Sequence, residues 1–305
     1  MSAPDRAVRL VEVGPRDGLQ NEPAPIATAE KIRFVDALAA AGHRTIEVSA
    51  FVSPRWVPQM ADAADVFAGI TRRPGVRYTA LVPNLAGLTR AVAAGVDEVA
   101  VFAAASERFS AANINQSIAE SLARYAEVVA EAGRHGLRVR GYVSCAFGCP
   151  FEGAVEPAAV RRVTAALLAM GVYEVAVSDT IGIAHPGQVR ALLAALAVDL
   201  PPARLALHFH DTRGTALANV LAALDAGIAT FDAAAGGLGG CPYAPGASGN
   251  LATEDLLYML DGLGVATGVS LPAVMAASVA LQPALGHPLR SRYVQATLAT
   301  RERGR

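Results

Sequence analysis

Short β-branched runs alternate with amphipathic segments along almost the whole chain. Eight runs have strand character: "VRLVEV" (8–13), "TIEVSAF" (45–51), "VRYTALV" (76–82), "DEVAVFA" (97–103), "RVRGYVSCAF" (138–147), "YEVAVSDT" (173–180), "RLALHFH" (204–210) and "ATFDAAAGG" (229–237). Between them the apolar positions take helical spacing, most clearly Ile118, Leu122, Tyr125, Val129 and Ala132, which step by four and three along one face. Several of these segments stop at glycine just before the next strand, as in "AAAGHR", "AAGVDE", "EAGRHG", "AMGVYE" and "DAGIAT". Glycine there can adopt the left-handed cap that ends a helix.

Strand followed by helix therefore repeats eight times, which implies a parallel sheet. Eight such units within about 240 residues predict a closed (β/α)8 TIM barrel, an α/β fold. An open doubly wound sheet is the alternative, but no glycine-rich phosphate turn follows the first strand. The polar clusters also fall where strands run out into their following loops, which is the catalytic end of a barrel. Past about residue 252 the chain adds two helical stretches, "ATEDLLYMLDGLG" and "SLPAVMAASVALQPALG", with no linker rich in Pro, Gly or Ser to detach them. The expectation is one domain over 1–305 with a helical C-terminal extension.

Composition narrows the function classes. Of 305 residues, 53% are hydrophobic and 17% charged, enough to bury a large core. Lys plus Arg (26) nearly balances Asp plus Glu (27), and there is no basic block with interleaved aromatics, so a nucleic-acid partner is not expected. No apolar run reaches the roughly 18 residues of a membrane span, and the first residues lack the pattern of a signal peptide. A cytoplasmic protein without a membrane partner is the expectation. The three cysteines, an odd number, read as thiols rather than a disulfide framework. Cys145 and Cys149 lie at or just past an apolar strand and read as packing residues.

The strand ends carry the candidate chemistry. In "LHFHDTRGTALANV" (207–220), His208 and His210 stand two apart on a strand, so their imidazoles project to the same side. They read either as a two-pronged nitrogen ligand or as buried, hydrogen-bonded histidines. The other strand ends bring Arg16, Asp17, Gln20 and Asn21, then Glu47, Tyr142 with Cys145, Asp179, and finally Cys241 and Asn250, to one opening. Two imidazoles, a carboxylate and an amide oxygen (His208, His210, Asp17, Asn250) form a mixed N/O set suited to a divalent ion such as Mg²⁺ or Mn²⁺. Arg16 beside Asp17 reads as an orienting salt bridge or as a fixed positive charge for an oxyanion, and the second role is favoured. The loop "GGLGGCPYAPGASGN" is glycine-rich without phosphate-loop spacing. It reads as a closing lid that carries Cys241, or as a flexible connection with an incidental thiol.

Seven stretches carry a resemblance: "VGPRDGLQNE", "IEVSAFVSPRWVPQM", "NIN", "RGYVSCAFGCPFEG", "SDTIG", "LHFHDTRGTALANV" and "GGLGGCPYAPGASGNLATEDLLYML". In order and spacing, from about residue 8 to beyond 260, they closely resemble the 3-hydroxy-3-methylglutaryl-CoA lyase family. The wider group of metal-dependent barrel lyases and synthases shares the Arg-Asp and His-x-His elements but not the "GGCPYA" loop. The resemblance implies a divalent metal held by Asp17, His208, His210 and Asn250, with Arg16 and the loop thiol of Cys241 as reactive groups. The implied reaction cleaves the coenzyme A thioester to acetoacetate and acetyl-CoA. His208 or Asp17 would take the proton of the tertiary hydroxyl, Arg16 would stabilise the enolate and Cys241 would protonate it. By position, Asp179 and Glu47 fit proton-relay or supporting roles, Gln20 and Tyr142 fit substrate contacts with Arg16 and Glu47, and Glu254 fits an orienting partner of Asn250. A homo-oligomer, dimer or tetramer, is expected from the same resemblance.

Two departures bear on the substrate. Ala50 stands where a serine is usual, and "DAAAGGLGG" is built of small residues where relatives commonly show Ser-Val-Ala. A lyase for a related, larger 3-hydroxyacyl-CoA is therefore the first alternative. A Claisen-type synthase on the same barrel is the second, and a metal-binding scaffold without catalysis the third.

Overall fold

The computed structural model describes residues 7–240 and 249–303, with side chains described through residue 300. Eight parallel strands close into a barrel: β1 (Arg9–Glu12), β2 (Thr45–Ala50), β3 (Arg77–Leu81), β4 (Glu98–Ala104), β5 (Arg138–Ser144), β6 (Glu174–Asp179), β7 (Leu205–Phe209) and β8 (Thr230–Ala233). β8 pairs with β1 through Leu10 and Phe231, so no edge is left open. All eight runs picked out by the hydrophobic pattern are strands; seven are shorter than their runs, and β4 keeps the length of its run but is shifted by one residue.

The shortening has local causes at the chemically important ends. β5 stops at Ser144 because Cys145 takes φ 58°, a left-handed backbone that breaks the ladder. β8 stops at Ala233, where a 3-10 turn over Ala235–Gly237 places Gly236 at φ 74°. β7 stops at Phe209, and His210 instead makes an isolated antiparallel bridge to Asn250. That bridge brings the far end of the glycine-rich loop against the seventh strand.

The outer layer comprises α1 (Thr28–Ala40), α2 (Ala63–Gly69), α3 (Leu85–Ala93), α4 (Glu107–Ile114), α5 (Ile118–Arg134), α6 (Pro157–Ala169), α7 (Pro186–Leu196), α8 (Ala216–Asp225), α9 (Thr253–Gly262), α10 (Leu271–Leu285) and α11 (Arg292–Arg303). α5 carries the predicted apolar face and begins with a capping box between Ser117 and Glu120. α9 packs on α8 and α10, and α10 lies along α1, so helices past residue 252 close the outer ring over β8 and β1. α11 follows a short connection that the hydrophobic pattern did not single out.

The barrel interior is not purely apolar. Glu12, Glu47, Glu98, Arg140, Glu174 and Asp232 all lie on strands and are almost wholly buried. Such charges survive inside only when paired, because an isolated ion loses its hydration. Arg140 meets that condition: Nε donates to Glu174 Oε1 at 2.8 Å, and Nη2 and Nη1 donate to the two oxygens of Asp232 at 2.7 and 3.1 Å.

Candidate active site at the barrel mouth

The first strand passes directly into a one-turn π-helix, Gly14–Gly18, in which the Val13 carbonyl accepts from the N–H groups of Arg16, Asp17 and Gly18. π-turns widen the backbone and re-aim side chains, and they cluster at functional positions. This one turns Arg16 inward and sets Asp17 at the rim. Glu12 anchors its start, since Oε1 accepts from Gly14 N and from Ala235 N, both at 2.8 Å. One carboxylate thus ties the turn after β1 to the turn after β8.

Asp17, His208 and His210 converge. Each offers a ligand atom, and these atoms all lie within 4.8 Å of one another. Nε2 of either histidine is 4.0 Å from Asp17 Oδ2. The two imidazoles sit side by side with ring centroids 5.3 Å apart, as their spacing on a strand predicts. Asn250 joins them, its Nδ2 donating to Asp17 Oδ2 at 2.8 Å and to Leu238 O at 3.1 Å.

The donor set fits a divalent ion on two structural observations. Asn250 Oδ1 is buried with no hydrogen-bond partner among the described residues, an expensive condition for a polar atom unless a further group satisfies it. A carboxylate, two imidazoles and an amide oxygen are also the mixed oxygen and nitrogen ligands that such ions accept.

Electrostatics favour the ligand role of Asp17. Burial would raise its pKa, but Arg16, His208, His210 and the hydrogen bond from Asn250 bring it down to about 2, so the carboxylate is ionised at neutral pH. Burial likewise pulls His210 down to about 4, leaving it neutral, which is the form that can ligate.

Arg16 is held on two of its three nitrogens. Nε donates to Glu47 Oε1, and Nη1 donates to Asp17 Oδ1 at 2.6 Å. Its guanidinium lies 5.7 Å from the centre of the Tyr142 ring. Nη2 has no hydrogen-bond partner among the described residues and is the nitrogen left for an incoming anion.

The remaining sequence candidates distribute unevenly. Glu47 and Tyr142 meet each other, with the tyrosine hydroxyl donating to Glu47 Oε2 at 3.0 Å. Asp179 is buried, and its oxygens accept from Ile183 N at 3.0 Å and Ala184 N at 2.9 Å, so it ties down its own loop. Gln20 is half-buried just past the π-turn. Glu254 does not touch Asn250: its oxygens accept from Gly236 N at 2.9 Å and from the Ser278 hydroxyl at 2.5 Å. It therefore braces the turn after β8 rather than the amide. Ala50 is fully buried in the main core and does not open onto the mouth, so the missing hydroxyl reshapes packing there rather than a surface. Cys145 and Cys149 are buried beside Ala104 and Phe109, in agreement with packing roles. Cys241 lies outside the described residues.

Two buried residues with a place in this site were not singled out by the sequence: Arg140 and Asp232. Arg140 Nη1 donates to the Tyr142 hydroxyl at 2.9 Å, and Asp232 Oδ2 stands 3.3 Å from His208 Nδ1. The available signal was an ionisable residue inside "VRGYV" and "TFDA", runs that a parallel strand buries on both faces.

The base of the glycine-rich loop is built from backbone. Asn21 Nδ2 donates to the carbonyls of Asp17 at 3.3 Å and Gly240 at 3.4 Å, and Arg290 Nη1 donates to Gly239 O at 2.6 Å. Gly249, at φ 88°, passes so close that a Cβ there would lie 2.5 Å from Gly239 O. Gly249→Ala should therefore displace Asn250 and weaken Mn²⁺ binding by about tenfold or more while the helical circular dichroism is kept, since a shifted ligand loses most of its bond. A titration giving the parent's dissociation constant would contradict that close fit.

The family model described as HMGL-like matches residues 7–280. A Pseudomonas aeruginosa protein named 3-hydroxy-3-isohexenylglutaryl-CoA/hydroxy-methylglutaryl-CoA lyase is 56% identical over 294 residues, covering 96% of this chain and 98% of that protein. A Rattus norvegicus protein named 3-hydroxy-3-methylglutaryl-CoA lyase, cytoplasmic, is 53% identical, covering 96% of this chain and 86% of that protein. The crystal structure of hydroxymethylglutaryl-CoA lyase from Pseudomonas aeruginosa superposes with a TM-score of 0.95 at 56% identity, covering 98% of this chain and 100% of that one.

Proposed function

This chain belongs to the HMGL-like family of HMG-CoA lyases, and on that premise we propose that its barrel mouth cleaves 3-hydroxy-3-methylglutaryl-CoA to acetoacetate and acetyl-CoA with a divalent metal. The observation that carries the reading is the convergence of Asp17, His208 and His210, with Asn250 bonded to Asp17, at the mouth. Asp17, His208, His210 and Asn250 would hold the ion. When bound, it supplies positive charge that lowers the pKa of the substrate's tertiary hydroxyl.

The chain's own groups account for the rest. The hydroxyl proton passes to the Asp17 carboxylate, because His208 would spend Nε2 on the ion while its Nδ1 faces Asp232. As the oxygen forms the ketone of acetoacetate, the carbon–carbon bond breaks and its electron pair moves into the thioester as an enolate. Arg16, already fixed by Glu47 and Asp17, presents Nη2 to that developing negative oxygen. Cys241, on the loop whose base Asn21 and Arg290 hold, gives its proton to the enolate carbon, and the proton gathered at Asp17 restores the thiol. No atom is lost in the cycle.

Acetyl-CoA release from hydroxymethylglutaryl-CoA, followed with Mg²⁺ or Mn²⁺ and again with EDTA, tests this directly. Turnover with metal that disappears with the chelator is expected, while equal turnover in both would remove the ion from the reaction. A second reading extends the substrate to a longer 3-alkyl group, because the Pseudomonas aeruginosa relative carries a name covering both an isohexenyl and a methyl substrate. A panel of 3-hydroxy-3-alkylglutaryl thioesters separates the two by kcat/KM.

His210→Ala should weaken Mn²⁺ binding by about 10–100-fold and affect the metal-free Tm less, because His210 Nδ1 has no hydrogen-bond partner among the described residues to leave behind. Metal titration by calorimetry checks it, and an unaltered dissociation constant would strike His210 from the ligand set.

A further inference from the structure

Beneath the mouth, a continuous chain of buried polar contacts joins both halves of the site. It runs from Asp17 to Arg16, Glu47, the Tyr142 hydroxyl and Arg140, then through Asp232 to His208, which faces Asp17 again. Arg140 joins its two arms, one through Tyr142 and one through Asp232. No substrate can reach it, for Arg140 and Asp232 are both almost fully buried, yet each touches a group that borders the reacting space.

The contact between Asp232 and His208 has a definite direction. Both Asp232 oxygens accept from the Arg140 fork, a bidentate ion pair that fits an ionised carboxylate. An ionised carboxylate has no proton to give, so His208 Nδ1 must be the donor across the 3.3 Å gap. A neutral imidazole with its proton on Nδ1 has a bare lone pair on Nε2, and Nε2 is the atom that faces Asp17. On the other arm, Arg140 Nη1 donates to the Tyr142 hydroxyl, which can then donate only to Glu47, the partner of Arg16. A single guanidinium, with its planar set of donors, can serve both arms and Glu174 together, and a lysine cannot.

We propose that Arg140 and Asp232 are positioning residues: Asp232 selects the His208 ring form that presents a bare Nε2 to the cluster with Asp17 and His210, and Arg140 holds Asp232 and, through Tyr142 and Glu47, the plane of Arg16. The effect on turnover rests on the lyase reading given above. The ring form and the metal affinity do not.

Long-range ¹H–¹⁵N spectra of metal-free protein, with His208 assigned by its loss in His208→Gln, decide the first part. The parent should show the proton on Nδ1, and a parent ring protonated on Nε2 overturns the proposal without any further variant. Asp232→Asn, which keeps the shape but can donate, should move the proton to Nε2 and weaken Mn²⁺ binding by about 10–100-fold. An unchanged ring form, or a dissociation constant within about twofold of the parent's, overturns it as well. Tyr142→Phe cuts only the arm to Arg16 and should lower kcat by about tenfold at unchanged KM and unchanged Mn²⁺ affinity. A raised KM at parental kcat would instead make Tyr142 a plain substrate contact and refute that arm. If the parent cleaves no thioester, the lyase reading fails while the spectra and the Mn²⁺ titrations still decide the role of Asp232.

Discussion

Arg16→Gln is expected to lower kcat for thioester cleavage by about 10²–10³, the usual effect of deleting one fixed donor to a developing oxyanion. KM should change far less, because the guanidinium's extra value is realised as charge builds on the thioester oxygen. Arg16 qualifies on geometry: Glu47 and Asp17 fix its plane and Nη2 is left for a ligand. Arg16→Lys keeps a charge but not the fork, so it should recover only a minor part of the loss. The substitution to Gln also leaves Glu47 buried without its cation, so a drop in Tm must be measured beside the kinetics. Steady-state release of acetyl-CoA at saturating Mn²⁺ is the readout, and a turnover within about tenfold of the parent would exclude Arg16 as the oxyanion donor.

Cys241→Ala should reduce turnover by about 10²–10⁴ and leave both Tm and Mn²⁺ affinity near the parent values, the range expected for a lost general acid. The thiol follows directly on Gly240, whose carbonyl is bound by Asn21 next to Asp17, so the loop starts at the rim of the site. The reaction in D₂O adds an independent readout. In the parent, the released acetyl group should carry one deuterium, delivered through an exchanged thiol. Residual product from the variant should form slowly, with protonation taken from solvent. Cleavage at the parental rate would make Cys241 a bystander on its loop.

The legibility of the molecule differed by layer. Strands showed in the sequence because a strand buried on both faces must be a short apolar, β-branched run, and all eight were of this kind. Helix α5 showed because its apolar positions repeat with the period of one helical face. The metal-binding types also showed, since His208 and His210 stand two apart on a strand. The π-turn did not. "GPRDG" reads as an ordinary loop until the Val13 carbonyl is seen to accept three N–H groups at once.

Roles that depend on partners far along the chain were the least visible. Glu254, four residues from Asn250 in sequence, braces Gly236 and Ser278 instead, because the first turn of α9 faces α10 and the turn after β8. Asp179, at a strand end like Asp17 and His208, spends its oxygens on two N–H groups of its own loop. Arg140 and Asp232 lie in different strands, 92 positions apart, and nothing in either stretch names the other.

By itself the sequence determined the eightfold strand and helix repeat, the chemical types gathered at the strand ends and the family they resemble. Those are local properties, written in periodicity, burial and spacing. Tertiary structure alone decided which atoms meet: that Asp17 faces both imidazoles, that Asn250 crosses to His210, and that one buried guanidinium sits between Asp232 and Tyr142. The physical reason is barrel closure. The tilt and stagger of the strands set which inward side chains lie opposite one another, and that register belongs to the closed sheet rather than to any single strand.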